Sequence, residues 1–267
     1  MLNLIKMNMY RMRHAVSTWV IAIVTIVFAF MQFGSLKLLL DDPFNMFEAG
    51  EGAKMLGFAT VGGENLVTTL LHNSNILIIA AVFVVLFANA EHKSGFDKNL
   101  IGITNHKWKH ALARWISAVI GMTIFIVLGY AVLLGLCALF LDAFSFGSAA
   151  AMLKSAGFLY LGMVTFSAIF FFFTTLFKSS AGGIVASLVI SLGILNLIEQ
   201  LLDLAVNKIF SNPAYVPSDF FFDNAYMTFD ASGAGMKACV VFVAICLVYL
   251  VLSVGGSMLL QQKRDVR

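Results

Sequence analysis

The stretch AEHKSGFDKNLIGITNHKWKHALARW, residues 90–115, interrupts an otherwise apolar part of the chain. The run ILIIAAVFVVLFA precedes it at 76–88, and the run ISAVIGMTIFIVLGYAVLLGLCALFL follows it at 116–141. The interruption contains five basic residues, whereas neither flanking run contains a charged residue. Apolar runs of this kind are typical of membrane-spanning helices, so the basic stretch is predicted to lie at a membrane surface.

Composition supports the same interpretation. Hydrophobic residues make up 60% of the 267 residues and charged residues only 12%, which is unusual for a soluble domain. Because helices satisfy their own backbone hydrogen bonds in lipid, and about 20 residues cross the bilayer core, the sequence predicts an all-α membrane protein with a single transmembrane domain over 1–267. Six predicted spans lie near 18–36, 66–88, 115–141, 156–177, 183–202 and 238–260.

Charged residues are distributed unevenly between the two sets of connections. Twelve of the 17 Lys and Arg residues lie in the N-terminal tail, in 90–115, after the fourth span or in the C-terminal tail. Eleven of the 14 acidic residues lie in the other set. Because Lys and Arg accumulate in cytoplasmic loops, both termini are predicted to be cytoplasmic.

The first 14 residues, MLNLIKMNMYRMRH, predict a helix that lies along the membrane surface. Apolar residues recur at positions 2, 5, 9 and 12, beside a stripe at 3, 6, 10 and 13 that carries polar and basic side chains. This pattern is typical of interfacial helices. The alternative is a frayed cytoplasmic tail.

Few ionisable groups lie near hydrocarbon depth, and these are candidates for a substrate path or a gate. Glu199 follows Asn196 by one helical turn, and His72 begins a polar patch with Asn73 and Asn75 at the start of the second span. An ionisable residue inside a membrane is a functional hypothesis. For Glu199 an interfacial position near the helix end is favoured over a proton relay, and for the patch at 72–75 interfacial hydration is favoured.

The sequence gives no sign of an enzyme active site or a metal site. It contains no HExxH or GxSxG motif, and the three cysteines lie inside predicted spans without CxxC spacing, as small apolar residues do. His106 and His110 would share a helix face. A third ligand is missing from their surroundings, so they are predicted to decorate a basic surface rather than to bind metal.

Within the interruption, a short cytoplasmic helix is predicted. Asp97 can cap a helix that carries Lys98, Leu100 and Ile101. Such a helix, held between two spans, is suited to transmit force. The alternative is a loop that contacts anionic lipid headgroups.

The arrangement resembles the membrane permease subunits of type 2 ABC transporters, which include bacterial exporters of peptides, drugs and polysaccharides. The resemblance rests on the surface helix at 2–14, six spans with both ends inside, and an E-x-x-x-G start of the loop after the second span, here Glu91 to Gly95. It also rests on a fifth span that would break into an outer helix over about 198–210. After the glycine this chain has Phe96-Asp97-Lys98, where relatives often have G-T-[IL]-[KR].

The resemblance implies a function and partners. Residues around 95–104 would form a coupling helix that docks on a cytoplasmic ABC ATPase, which would bind ATP and Mg. Two permease copies, identical or different, would form the substrate path in a bacterial plasma membrane, with lipids but no nucleic acid as further partners. The cargo would be amphipathic peptides or other hydrophobic compounds. The implied coupling residues are Glu91, Gly95, Phe96, Asp97, Lys98, Leu100 and Ile101.

The chain lacks the motifs needed to hydrolyse ATP itself. It contains neither a GxxxxGK[ST] phosphate loop nor an LSGGQ-like signature, so the energy would come from the partner. A membrane scaffold or sensor subunit that binds a cytoplasmic partner without transport is the alternative function. An ion-coupled transporter is disfavoured because charges at the middle of the spans are scarce.

Overall fold

The computed structural model describes residues 1–41, 61–94, 107–141, 144–210, 216–230 and 233–263. These ranges are almost entirely helical. A 3-10 helix, Pro217–Phe220, and two parallel two-residue strands, β1 Val61–Gly62 and β2 Phe144–Ser145, are the other regular elements described. The α-helices, in chain order, are α1 Leu2–His14, α2 Val16–Asp41, α3 Gly63–Leu71, α4 Ser74–Ser94, α5 Lys107–Phe140, α6 Ala149–Phe177, α7 Ser180–Ser191, α8 Leu195–Phe210, α9 Phe222–Thr228 and α10 Met236–Lys263.

Four helices, α2, α5, α6 and α10, are long and apolar enough to cross a membrane. The pair α7 and α8 would form a fifth crossing, bent by 56° at the break between the two helices. Helix α4 contributes a shorter apolar stretch, Ser74–Ala90. The prediction of an all-α membrane protein is therefore confirmed, whereas a count of six spans stays a prediction.

The second predicted span, 66–88, is not one continuous helix. Helix α3 ends at Leu71 and α4 begins at Ser74. The Asn73 side-chain oxygen accepts a hydrogen bond from the backbone N–H of Asn75 at 2.8 Å. Asparagine is favoured at this position because its side chain satisfies an N–H group that has no partner in the first turn. The polar patch at 72–75 therefore starts a new helix.

The break between α7 and α8 centres on Gly193. This residue has a φ of +69°, which glycine adopts without the steric cost that a Cβ would impose. The chain then restarts as a helix, and the N–H of Asn196 donates to the carbonyl oxygen of Gly193. The resemblance placed the outer helix from about residue 198, whereas in the structure α8 begins at Leu195.

Helix α6 forms the centre of the bundle and packs against α3, α4, α7 and α10. Half of its apolar window is buried, against 22% for α10 and 17% for α2. The side chains of Leu159, Met163, Phe166 and Phe170 are fully buried in its core-facing surface. The outer helices thus present apolar faces that suit lipid, while α6 supplies the packed core.

The helices run between two chemically different ends of the bundle. The basic end consists of α1, the last turns of α4, the first turns of α5 and the α6–α7 connection. The capped end consists of the α3–α4 junction, α8, the 3-10 helix and α9. The basic residues of these elements are Lys6, Arg11, Arg13, Lys93, Lys107, Lys109, Arg114 and Lys178, and Lys263 in the last turn of α10 lies at the same end. The basic residues are thus concentrated at one end of the bundle axis. Which end faces the cytoplasm stays a prediction.

Candidate functional site

The capped end is anchored by Tyr226 of α9. Its side chain is fully buried, and its hydroxyl donates a hydrogen bond to the carbonyl oxygen of Leu71 at 2.7 Å. The carbonyl lies at the end of α3, where helix carbonyls lack intrahelical partners. The ring packs edge-on against Phe166, with 5.1 Å between the ring centroids. A Cβ at Gly162 would overlap the Tyr226 ring, so this glycine allows α9 to pack directly on α6.

His72, one of the predicted path residues, contacts the same tyrosine. The two rings meet edge to face, with centroids 5.2 Å apart. His72 is half-buried, and within the described part of the chain its Nε2 atom has no hydrogen-bond partner. The α3–α4 break is therefore covered by α9.

Glu199, the second predicted path residue, forms a carboxyl pair with Asp223 of α9. Glu199 is 2% exposed and Asp223 is 6% exposed, and their carboxyl groups lie within hydrogen-bonding reach. Two ionised carboxylates offer only acceptors, and neither Glu199 oxygen meets a donor among the described residues. A hydrogen bond between the two groups would require a proton on one of them. Glu199 is thus buried beneath α9, and its position relative to the membrane interface stays a prediction.

A further contact attaches α8 to the 3-10 helix at the capped end. The Asp203 side chain accepts a hydrogen bond from the backbone N–H of Ser218 at 3.0 Å. Asn196, the third predicted path residue, lies one turn before Glu199, and its buried side-chain oxygen has no partner within the described ranges. Asp223 and Tyr226 are three positions apart on α9, so one short helix connects the α3–α4 break with the bent α7–α8 pair.

A buried polar layer lies at the basic end. It consists of Asn8 of α1, Asn89 of α4, and His110 and Arg114 of α5, all at most 3% exposed. The Arg114 guanidinium donates to the carbonyl oxygen of Ala88 at 3.1 Å. The amide groups of Asn8 and Asn89 have no hydrogen-bond partner among the described residues. Such groups are costly when buried, so this layer is a candidate functional feature.

The basic end is also where α1 is fixed to the bundle. Helix α1 packs on α5, with Asn8 and Met12 as its buried residues. A Cβ at Gly121 would overlap both Met12 and Phe83, so glycine at this position allows α1, α4 and α5 to meet closely. A helix at 2–14 is therefore confirmed, and it is attached to the spans.

Most of the predicted coupling residues lie outside the described part of the chain. Glu91 lies in the last turn of α4. Gly95, Phe96, Asp97, Lys98, Leu100 and Ile101 lie outside the described residues. Their proposed role therefore stays a prediction, although both helices that flank them are described.

Sequence reasoning missed several of these residues. His110 was predicted to lie on a basic surface but is 2% exposed, because His110 and Arg114 share the face of α5 that turns inward. Asp223 and Tyr226 lie outside the six predicted spans and were not singled out from the sequence. Cys137, Cys239 and Cys246 are free and lie within helices. Among the described residues there is no group of three His, Cys, Asp or Glu side chains that could hold a metal.

Comparison of the chain with protein-family models gives no match, and comparison with curated proteins gives none either. The fold defines the class: an α-helical, multi-pass membrane protein. The features that bear on its function are the buried polar residues at the two ends of the bundle.

Proposed function

We propose that this protein is the transmembrane subunit of an ATP-driven ABC exporter, in which two copies form the substrate path and a separate ATPase supplies energy. The observation that carries the proposal is that α4 and α5, which flank the basic segment in the sequence, are joined to each other. The helices on both sides are joined at their bases by the Arg114 hydrogen bond to Ala88. A partner that binds this segment would thus push on two joined helices rather than on a loose loop.

The packing offers a route from the basic end to the capped end. Helix α4 begins at the α3–α4 break, where Leu71 and His72 contact Tyr226. Helix α9, which carries Tyr226, also holds Glu199 of the bent α7–α8 pair through Asp223. Because packed elements transmit displacement through contiguous contacts, movement of α4 would displace α8. The predicted residues His72, Asn196 and Glu199 would then act as a gate at the capped end.

The proposed cargo follows from the apolar surface of the bundle. Helices α2 and α10 present large exposed hydrophobic side chains along most of their length, and α5 presents them in its second half. A path between two such surfaces suits amphipathic peptides or other hydrophobic compounds better than ions, which need polar groups along the path. Alternating access would follow when closure of the ATPase pair shifts the two halves against each other.

Co-purification with an ABC ATPase tests the proposal. The chain is expressed together with ABC ATPases from its own source, solubilised gently, and assayed for complex formation and for ATP hydrolysis with and without amphipathic peptides. We expect a stable complex whose hydrolysis rises with peptide. Lys98→Glu should weaken the complex or remove stimulation, because it reverses a charge in the proposed coupling segment.

Lys208→Glu is the matched control, because it makes the same charge change at an exposed position on α8. Full stimulation in Lys98→Glu would remove the segment from the coupling mechanism. A stable complex that hydrolyses ATP with no response to any peptide or hydrophobic compound would instead favour the scaffold or sensor function.

A further inference from the structure

Negative charge accumulates in the elements that form the capped end. Helix α8, the 3-10 helix and α9 carry one basic residue, Lys208, and four acidic residues, Glu199, Asp203, Asp219 and Asp223. Lys208 is exposed and follows Glu199 by nine positions, which is about 13 Å along a helix axis. Within these three elements, no basic side chain is therefore placed to neutralise a carboxylate at Glu199.

The fold supplies a donor to one of these carboxyl groups but leaves the buried pair short of donors. Asp203 accepts a hydrogen bond from the backbone N–H of Ser218 at 3.0 Å. Glu199 and Asp223 are 2% and 6% exposed, and Glu199 Oε1, Glu199 Oε2 and Asp223 Oδ2 have no hydrogen-bond partner among the described residues. One proton shared by the pair would satisfy at most two of these three oxygen atoms. Buried carboxylates are otherwise paired with a cation or bound to a metal.

The arrangement of the pair fits one hard cation. The two carboxyl groups lie within hydrogen-bonding reach, and oxygen atoms at that separation can coordinate the same ion, because Ca–O bonds are about 2.3–2.6 Å long. The donors are oxygen atoms, which hard divalent cations such as Ca²⁺ prefer. Calcium also accepts amide, backbone and water oxygen atoms, so two carboxylates suffice as its charged ligands.

We propose that Glu199 and Asp223 form a binding site for a calcium ion between α8 and α9. The two carboxylates balance the charge of the ion, and a proton held by the metal-free pair is released on binding. Because one ligand comes from α8 and the other from α9, the bound ion joins the bent α7–α8 pair to the helix that anchors the capped end. The strength of this attachment thus depends on calcium.

Isothermal titration calorimetry of the full chain in a nonionic detergent tests the site. The protein is first stripped with a chelator and then titrated with calcium chloride, and we expect one Ca²⁺ per chain. Glu199→Gln removes one charged ligand and should weaken binding more than about tenfold, since even the loss of a hydrogen-bond partner of a metal ligand costs about 10–100-fold in affinity. Asp219→Asn is the matched control, because it removes the same charge at an exposed position of the capped end. It should leave binding unchanged.

Amide hydrogen exchange of the unmodified chain gives a second measurement that needs no variant. Calcium chloride should slow exchange in α8 and α9, whereas choline chloride at the same ionic strength should not. Absence of binding at about 10 mM Ca²⁺, above the range of known calcium sites, would overturn the proposal, as would unchanged binding in Glu199→Gln or an equal loss in Asp219→Asn. Neither measurement involves an ATPase, so the outcome is independent of the proposed export function.

Discussion

The two ends of the bundle bury polar side chains in different ways. At the capped end, long-range bonds from side chains join separate elements, as Tyr226 does with Leu71 and Asp203 with Ser218. At the basic end, Arg114 makes one such bond to Ala88. The amides of Asn8 and Asn89 have no partners among the described residues. Buried polar atoms without a partner among the described residues occur at both ends, including Glu199 and Asn196 at the capped end, so what distinguishes the capped end is that more than one long-range bond joins its elements.

This difference agrees with a division of roles. The capped end, as the proposed gate, must close reproducibly. Specific contacts between separate elements suit that role. In the proposed function the basic end responds to a partner, and the amides of Asn8 and Asn89, which have no partner among the described residues, could take part in that response. The comparison also identifies which substitutions should matter most for stability and which should matter most for coupling.

Loss of the Tyr226 ring should have the largest effect on stability. Tyr226→Ala removes a fully buried aromatic side chain and should lower the free energy of unfolding by about 3–5 kcal/mol. Reversible unfolding in detergent micelles measures this change. Tyr226→Phe is the control, because it keeps the ring and removes only the hydrogen bond to Leu71, at a cost of about 1 kcal/mol. Similar losses in the two variants would mean that the hydroxyl, rather than the packing, anchors the cap.

Removal of the Arg114 charge should have the next largest effect. Arg114→Met keeps much of the apolar volume but removes the hydrogen bond to the carbonyl oxygen of Ala88, so the free energy of unfolding should fall by about 2 kcal/mol. Coupled ATP hydrolysis should fall as well, because the bases of α4 and α5 are no longer joined. Lys263→Met is the control at an exposed basic residue. Unchanged coupling in Arg114→Met would argue against the joined helices as the route of force.

A smaller effect is expected at the carboxyl pair. Asp223→Asn provides a permanent donor to Glu199 and should strengthen the attachment of α9 by about 1 kcal/mol. Slower amide hydrogen exchange in α9 would report this change. Asp219→Asn makes the same substitution at an exposed position in the 3-10 helix and should leave exchange unchanged. Faster exchange in Asp223→Asn would show that the pair is not held by a shared proton.

The sequence predicted the helical membrane fold because long apolar runs are dictated by the bilayer itself. It predicted the breaks less well, although local signals were present. Asn73 marks the α3–α4 break and Gly193 marks the α7–α8 break. Mean hydropathy over about 20 residues does not register either one, because a single residue changes the mean little. A helix start or a bend depends on one residue, so single-residue signals carry more information here than mean hydropathy.

The candidate sites were predicted only in part, because their contacts join distant parts of the chain. Glu199 and His72 were recognised by being polar near apolar runs, but their partners Asp223 and Tyr226 lie on α9, whose position depends on the packing of α6. For His110, the neighbouring Lys107 and Lys109 suggested a surface, while the helical spacing to Arg114 and Gly121 placed it on the buried face. Helical phase was therefore the better guide than local charge.

An effect on stability of similar size is expected at Asn89, and it tests the comparison most directly. Asn89→Leu replaces a buried amide without a described partner by an apolar group of similar size, which should raise the free energy of unfolding by about 1 kcal/mol. If the polar layer is used for coupling, the same variant should lose peptide-stimulated ATP hydrolysis while the purified chain becomes more stable. A variant that is less stable would indicate that Asn89 is satisfied in the folded protein. A variant that is more stable and fully coupled would remove the Asn89 amide from the mechanism.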